Sequence, residues 1–130
     1  AGNIYENYKK KDIKWCFSNL NEVKTNIGKH FEDYEKNFNF IEGKVEETLV
    51  IEKNLPQKIS LLRLDTDFYE STKKELEILY PRLNKGGVLI IDDYGHWKGS
   101  KKAVDEYFNL NQNFLWFHRI DYASRLYIKQ

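Results

Sequence analysis

The chain has 130 residues, of which 41% are hydrophobic and 15% aromatic, and this excludes a disordered protein because it is enough apolar material to build a core. Lysine and arginine (21) nearly balance aspartate and glutamate (20), so a net charge of +1 supplies no general field for nucleic acid. No apolar run approaches the roughly 20 residues that span a bilayer. We therefore expect a cytoplasmic protein without a membrane or nucleic-acid partner, folded as a single domain over residues 1–130.

An amphipathic pattern begins after Ser18. Apolar residues recur at spacings of three and four from Leu20 to Phe31, which predicts a helix with Ser18 as its N-cap. The alternating segment 37–43 then predicts a short strand that ends at a glycine, and residues 45–50 predict a brief helical turn.

Two short apolar runs end abruptly in carboxylates. The run Ile59–Leu64 is followed by Asp65, and the run Val88–Ile91 by Asp92 and Asp93. Short, mainly apolar runs without regular polar alternation predict strands that are buried on both faces of a parallel sheet. Because open α/β sheets bind ligands at the carboxyl ends of their strands, we expect these acids to converge at one edge. Clustered carboxylates repel one another and need a cation, a proton or a cationic partner.

Helical patterns follow both of these strands. Ser71 or Thr72 is the predicted N-cap of a helix between them, and Ser100 begins the predicted helix after the second strand. The last two β-rich runs, 114–120 and 125–129, predict a hairpin. The predicted order is β-α-β-α-β-α-β-β, a Rossmann-like α/β fold.

The carboxylates by themselves leave several functions open. Hard oxygen ligands suit Mg²⁺, Ca²⁺ or Mn²⁺, and one cysteine with three scattered histidines argues against structural zinc. The pair Asp65 and Asp67 forms an Asp-x-Asp motif, so a Mg²⁺-dependent phosphoryl or glycosyl transferase is one alternative. Helix capping by Asp67 and a catalytically silent, dimeric fold fragment are the structural alternatives.

A series of longer motifs runs in order from about residue 38 to residue 129. These motifs are Leu62–Thr72, Leu79–Leu83, Gly86 with Gly87, Ile91–Trp97, Ala103–Phe108, and Arg119–Tyr122 with Arg125. They closely resemble the macrocin-type (TylF/MycF-like) sugar O-methyltransferases. The resemblance implies that a methyl group is transferred from S-adenosylmethionine to a hydroxyl group of a sugar or a similar small molecule, with Mg²⁺ or another divalent cation bound.

The resemblance also implies roles for individual residues. Asp65, Asp92 and Asp93 would be the metal ligands, and Asp65 would also be the catalytic base. In such folds the segment that contains Gly43 and Lys44 approaches the adenine of the cofactor, so these two residues are predicted to bind S-adenosylmethionine. The structural alternative for Gly43 is a plain strand-to-helix turn.

His96 and Trp97 follow the second acid motif in a predicted loop. An indole face suits a sugar ring, so we predict that both residues contact the acceptor. The structural alternative is a surface loop with a packed tryptophan.

The chain departs from the family pattern at its amino-terminal end. A glycine-rich loop after a first strand and an acidic residue after a second hold the cofactor in this class of enzyme, and neither motif occurs here. We therefore expect the carboxyl-terminal portion of a class I methyltransferase catalytic domain, truncated at the N-terminus by two strands. Such a portion would bind S-adenosylmethionine weakly or not at all and be inactive alone. The sheet edge left unpaired predicts a homo-oligomer.

Overall fold

A computed structural model describes residues 18–110 and 116–130. The first residues of the predicted hairpin, Phe114 and Leu115, lie outside the described residues. The structure divides into two compact units, with the boundary between Glu42 and Gly43. Among the described residues, no helix has both the length and the apolar character needed to cross a membrane. The assignment of residues 1–130 to one domain stays a prediction.

The first unit contains helix α1 (Leu20–Gly28). Its N-cap is Asn19 rather than the predicted Ser18. The Asn19 side chain accepts a hydrogen bond from the backbone N–H of Glu22 (3.0 Å), and the Glu22 carboxylate accepts one from the backbone N–H of Asn19 (3.1 Å). This reciprocal pair satisfies N–H groups that a helix start leaves free. The helix ends at Gly28, a residue with low helix propensity, so the predicted continuation to Phe31 is wrong.

Helix α2 (Tyr34–Asn37) is followed by the segment that was predicted to be a strand. Residues 38–42 pair with none of the strands that the structure describes, so the predicted strand at 37–43 is wrong. An alternating pattern forms a strand only where a neighbour accepts its backbone hydrogen bonds. Here the apolar residues form an aromatic cluster instead, in which the rings of Phe38 and Phe40 stack with centroids 6.2 Å apart.

The second unit alternates helices and strands. In chain order these are α3 (Val45–Thr48), β1 (Ile59–Leu64), α4 (Tyr69–Leu79), β2 (Leu83–Ile91), α5 (Lys98–Leu110), β3 (His118–Arg119) and β4 (Arg125–Ile128). The predicted helical turn at 45–50, the strand–helix–strand unit, the following helix and the terminal hairpin are confirmed. Strand β2 begins at Leu83, earlier than the predicted Val88.

The four strands form one sheet in the order β1-β2-β4-β3. Strands β1 and β2 are parallel, and Leu64 is paired with Ile91. The backbone N–H of Asp92 donates to the carbonyl of Leu64 (3.0 Å), which extends this ladder by one bond. Asp65 and Asp92 therefore leave the sheet side by side. Strand β1 is an edge strand of the described sheet, and its pairing in a homo-oligomer stays a prediction.

Helices α4 and α5 pack against one face of the sheet. The buried cluster consists of Leu62, Leu64, Leu76, Tyr80, Leu83, Leu89, Ile91, Val104, Phe108 and Tyr127. On the other face of β1, Leu61 is 62% exposed and Arg63 is exposed as well. The prediction that β1 is buried on both faces is therefore wrong, because the packed helices of this unit cover only one side.

Both helices begin earlier than predicted. Helix α4 starts at Tyr69, so Ser71 and Thr72 lie buried inside its first turn and do not cap it. Helix α5 starts at Lys98, two residues before Ser100. The hydroxyl groups of Ser71 and Thr72 bond to other parts of the second unit.

Candidate functional site

Asp65, Asp92 and Asp93 lie together beyond the carboxyl ends of β1 and β2. One carboxylate oxygen from each residue lies within 4.8 Å of the other two. Asp65 is exposed, whereas Asp92 and Asp93 are half-buried. The parallel pairing of the strands produces this convergence, because the residues that follow two paired strand ends leave the sheet at the same edge.

Arg63 is the cationic partner of this carboxylate cluster. Its guanidinium group contacts the Asp65 carboxylate at 2.7 Å through one nitrogen and the Asp92 carboxylate at 3.0 Å through another. Strand geometry accounts for both contacts. Side chains two residues apart share a face, so Arg63 points to the side of Asp65, and the pairing of Arg63 with Ile90 places Asp92 on the same side.

Asp93 and Asp67 are hydrogen-bonded to each other at the same edge. Partial burial and the neighbouring carboxylates of Asp67, Asp65 and Asp92 raise the pKa of Asp93 to about 6. Burial also raises the pKa of Asp67, although a hydrogen bond from Asp93 opposes this change. Asp67 therefore interacts with the carboxylate cluster. The N-cap of α4 is Phe68, so Asp67 does not cap this helix.

A second carboxyl group is buried behind the cluster. Glu75 on α4 is only 7% exposed, and its carboxylate accepts a hydrogen bond from the hydroxyl group of Thr66 (2.7 Å). Burial raises the pKa of Glu75 to about 7; the Thr66 bond opposes this rise, and the negative charges of Glu46 and Asp65 add to it. Glu75 is therefore poised between its charged and neutral forms near neutral pH.

His96 and Trp97 lie in the loop after the acids, as predicted, and contact each other edge to face with ring centroids 5.0 Å apart. The Tyr122 hydroxyl group is hydrogen-bonded to Nδ1 of His96 (3.1 Å), and the two rings are also edge to face at 5.7 Å. His96 and Tyr122 are exposed, and Trp97 is half-buried. The three rings form one aromatic group. His96 and Trp97 belong to the loop after Asp93, and Tyr122 belongs to the terminal hairpin.

Residues 121–124 of the connection between β3 and β4 pack against this loop. The backbone N–H of Gly95 donates to the carbonyl of Ala123 (2.8 Å), and the Ser124 hydroxyl group donates to the Asp92 carboxylate (3.3 Å). The Asp121 side chain in turn accepts hydrogen bonds from the backbone N–H groups of Ala123 and Ser124 (2.8 and 2.6 Å). These bonds stabilise the turn that reaches Asp92.

Gly43 and Lys44, the residues predicted to bind the cofactor, precede α3. Gly43 has a φ of +136°, and a side chain there would also contact Thr48. Lys44 is exposed and forms an ion pair with Glu47 at 3.8 Å. Within the described ranges, neither residue forms a hydrogen bond or ion pair with the carboxylate cluster.

Three residues of this region were missed by the sequence interpretation. Arg63 could have been found, since an arginine two positions before an acid at a strand end must share its face. Glu75 carried no such signal, because a glutamate in a charged helical segment predicts a solvent-exposed side chain. Tyr122 approaches His96 only through the tertiary contact of the hairpin.

Comparison with known proteins agrees with this architecture. The family model of the macrocin-O-methyltransferases (TylF) matches residues 5–129. The chain is 37% identical over 87 residues to the demethyldecarbamoylnovobiocin O-methyltransferase of Streptomyces niveus, a match that covers 66% of this chain and 32% of that protein. It is 48% identical over 50 residues to the 8-demethyl-8-(2,3-dimethoxy-alpha-L-rhamnosyl)-tetracenomycin-C 4'-O-methyltransferase of Streptomyces olivaceus, covering 38% of this chain and 19% of that protein.

Solved structures show the same relationship. The structure of the O-methyltransferase NovP superposes with a TM-score of 0.72 at 31% identity, covering 85% of this chain and 45% of that chain. The apo structure of CalS11, a TDP-rhamnose 3'-O-methyltransferase, superposes with a TM-score of 0.57 at 29% identity, covering 68% and 40%. The chain thus spans about a third or less of the two curated relatives and under half of these structures.

The likeness to NovP confirms the predicted Rossmann-like α/β fold of the class I methyltransferases. The matched family and the matched relatives are named as O-methyltransferases. With a family model that matches nearly its whole length, this chain belongs to the macrocin-O-methyltransferase (TylF) family.

Proposed function

We propose that this chain forms the cation-binding and acceptor-binding part of an S-adenosylmethionine-dependent O-methyltransferase. The observation that carries the proposal is the convergence of Asp65, Asp92 and Asp93 within 4.8 Å at the ends of two parallel strands. The relatives are named as O-methyltransferases, and the names of two of them contain rhamnose or a rhamnosyl group. The proposed acceptor is accordingly a hydroxyl group of a sugar or a similar small molecule.

The donor set suits Mg²⁺ or another hard divalent cation. Three carboxylate oxygens from Asp65, Asp92 and Asp93 lie close enough together to share one ion, and such ions prefer oxygen ligands. Arg63 balances part of the negative charge. Burial and neighbouring carboxylates nevertheless keep the pKa of Asp93 raised to about 6, which indicates that negative charge at this edge is only partly neutralised. A cation bound here would lower the pKa of an acceptor hydroxyl group that reaches it.

Asp65 is the proposed catalytic base. It is exposed at the end of β1, whereas Asp92 and Asp93 are half-buried, so an acceptor from solvent can reach it. Its carboxylate would accept the proton of the acceptor hydroxyl group. Bound S-adenosylmethionine would supply the methyl group, with an O–C bond formed as the S–C bond breaks and S-adenosylhomocysteine as the leaving group. The protein must hold the attacking oxygen, the methyl carbon and the sulfur in line.

The proposed acceptor contacts are His96 and Trp97. An indole face offers a large apolar surface to a sugar ring, and an imidazole nitrogen can hydrogen-bond a sugar hydroxyl group. The Tyr122 hydroxyl group engages Nδ1 of His96, which leaves Nε2 available for the acceptor. Support for this assignment comes from the position of both residues in the loop three and four residues after the proposed ligand Asp93.

Gly43 and Lys44 are the proposed cofactor contacts of this chain. Their support is the resemblance, together with the exposure of both residues before α3. Because the chain spans under half of the matched structures, we expect S-adenosylmethionine to bind this chain weakly or not at all. Calorimetric titration measures this affinity, and micromolar binding would contradict the expectation.

Titration with Mg²⁺ tests the cation site. We expect the unaltered chain to bind Mg²⁺ and Asp92→Asn to lose measurable binding, because the substitution removes one ligand charge and one contact of Arg63. Isothermal calorimetry at pH 7.5 is the measurement. Asp33→Asn is the matched control, since Asp33 is an exposed aspartate whose side chain pairs with Lys36. Equal binding by Asp92→Asn and the unaltered chain would remove the proposed site.

A further inference from the structure

Glu75 is buried behind the carboxylate cluster and takes no part in the proposed reaction. Its side chain projects from α4 and is 7% exposed. Burying a carboxylate costs free energy, and apolar residues of similar volume are often as stable or more stable in such places. A residue that breaks this rule commonly serves a functional site. The group that Glu75 contacts is therefore informative.

That group is the hydroxyl of Thr66, at 2.7 Å. Thr66 is the central residue of the turn from Asp65 to Asp67, which connects β1 to α4. The same turn is also held through its main chain, because the hydroxyl group of the fully buried Thr72 donates to the Thr66 carbonyl at 3.0 Å. Helix α4 thus holds this turn at two points, one of which is Glu75.

We propose that Glu75 is a positioning residue of the cation site: through the Thr66 hydroxyl group it holds the turn that directs Asp65 toward Asp92 and Asp93. This inference rests on the proposed cation site. It adds a residue that touches neither the cation nor the acceptor and acts through Thr66.

The sheet alone does not orient Asp65. The parallel ladder ends with the bond from the Asp92 N–H to the Leu64 carbonyl, and Asp65 lies beyond it. The direction of its carboxylate therefore depends on the following turn and on Arg63. Hydrogen-bonded partners behind metal ligands typically change metal affinity 10- to 100-fold when they are removed. Glu75 lies one step further out, because it is hydrogen-bonded to Thr66, the residue that follows the proposed ligand Asp65.

Glu75→Leu tests this role in the full 130-residue chain. We expect its affinity for Mg²⁺ to fall about tenfold by isothermal calorimetry at pH 7.5. The variant should remain folded, because the substitution removes a buried carboxyl group and leaves the Thr66 hydroxyl group with a second partner, the Thr72 hydroxyl group at 3.1 Å. A thermal melt followed by circular dichroism verifies the fold.

Glu75→Gln is the conservative variant, since its amide oxygen can accept the same hydrogen bond. We expect its Mg²⁺ affinity to stay within about threefold of that of the unaltered chain. Glu77→Leu is the matched control, because Glu77 is an exposed glutamate on the same helix, and it should leave the affinity unchanged. If Glu75 had only a structural role, Glu75→Gln and Glu75→Leu would not differ in their affinity for Mg²⁺.

A double-mutant cycle tests the route through Thr66. If Glu75 acts through this hydroxyl group, Glu75→Leu combined with Thr66→Val should bind Mg²⁺ no more weakly than Glu75→Leu alone. A folded Glu75→Leu variant with unchanged affinity would overturn the inference and leave the cation site standing. A clear further loss in the double variant would overturn the route through Thr66. An unaltered chain that binds no Mg²⁺ would instead overturn the proposed function itself.

Discussion

Gly95→Ala is expected to lower the free energy of unfolding by about 3 kcal/mol, because the added methyl group has no room. A Cβ atom at this position would lie 2.0 Å from the carbonyl oxygen of Tyr122 and 3.0 Å from its carbonyl carbon. Both are backbone atoms, so no side chain can turn aside. The connection at residues 121–124 must move away, which breaks the bond from the Gly95 N–H to the Ala123 carbonyl.

Urea unfolding followed by circular dichroism measures this loss. Gly86→Ala is the control, because Gly86 has a φ of +76° and nothing within 4 Å of an added Cβ. Its expected cost of about 1 kcal/mol comes from backbone conformation alone. Similar losses in the two variants would show that the hairpin does not approach Gly95 as closely as described. Movement of the connection should also weaken Mg²⁺ binding, because Ser124 contacts Asp92.

Glu75→Gln should raise the free energy of unfolding by about 3 kcal/mol at pH 8 and change it little below pH 5. Burial raises the pKa of Glu75 from its usual 4.5 to about 7. Between these values the folded protein keeps the proton that the unfolded chain releases, so the contribution of Glu75 to stability falls as the pH rises from 4.5 through 7. Above pH 7 the full cost of the buried charge remains. Glutamine cannot ionise and avoids that cost.

Urea unfolding at a series of pH values without divalent cations measures the difference between variant and unaltered chain. Subtracting the two curves removes the contribution of other titrating groups, such as Asp93. Glu77→Gln is the matched control, and its difference from the unaltered chain should show no such rise with pH. A pH-independent difference for Glu75→Gln would mean that the Glu75 carboxyl group is not buried as the structure shows.

The two predictions for Glu75 concern two properties of one carboxyl group, its burial and its hydrogen bond to Thr66. Replacing the carboxyl group should make the protein more stable at pH 8, whereas losing the acceptor for Thr66 should weaken cation binding. Glu75→Leu would then be the folded variant that binds Mg²⁺ less well. Such an exchange of stability against function is expected where a buried polar group serves a site.

Local pattern was sufficient to place the carboxyl ends of the two strands that precede the acids. The run Ile59–Leu64 has the bounds of β1 because an apolar run flanked by polar residues has few alternatives. Placing Asp65 and Asp92 at one edge required only that the two strands be parallel neighbours, which a single intervening helix favours. The long motifs around these acids also identified the family.

Patterns that depend on a partner elsewhere in the chain were misleading. Segment 37–43 alternates like a strand but has no neighbour in the described sheet, so its aromatic residues pack on one another. Ser71 and Thr72 have the composition of N-caps, yet α4 begins at Tyr69 and their hydroxyl groups bond to Glu46 and to the Thr66 carbonyl. Hydroxyl groups take whichever acceptors the tertiary structure provides.

The sequence by itself determined the α/β class, the family and the three carboxylates, because each depends on residue type and spacing along the chain. Only the tertiary structure decided what surrounds them. Strand register set Arg63 between Asp65 and Asp92, helix packing buried Glu75 against Thr66, and the hairpin carried Tyr122 to His96. Apart from the contact of Arg63 with Asp65, which lie two residues apart, these contacts join residues that are close only after the strands pair and the helices pack. Spacing along the chain therefore carries little record of them.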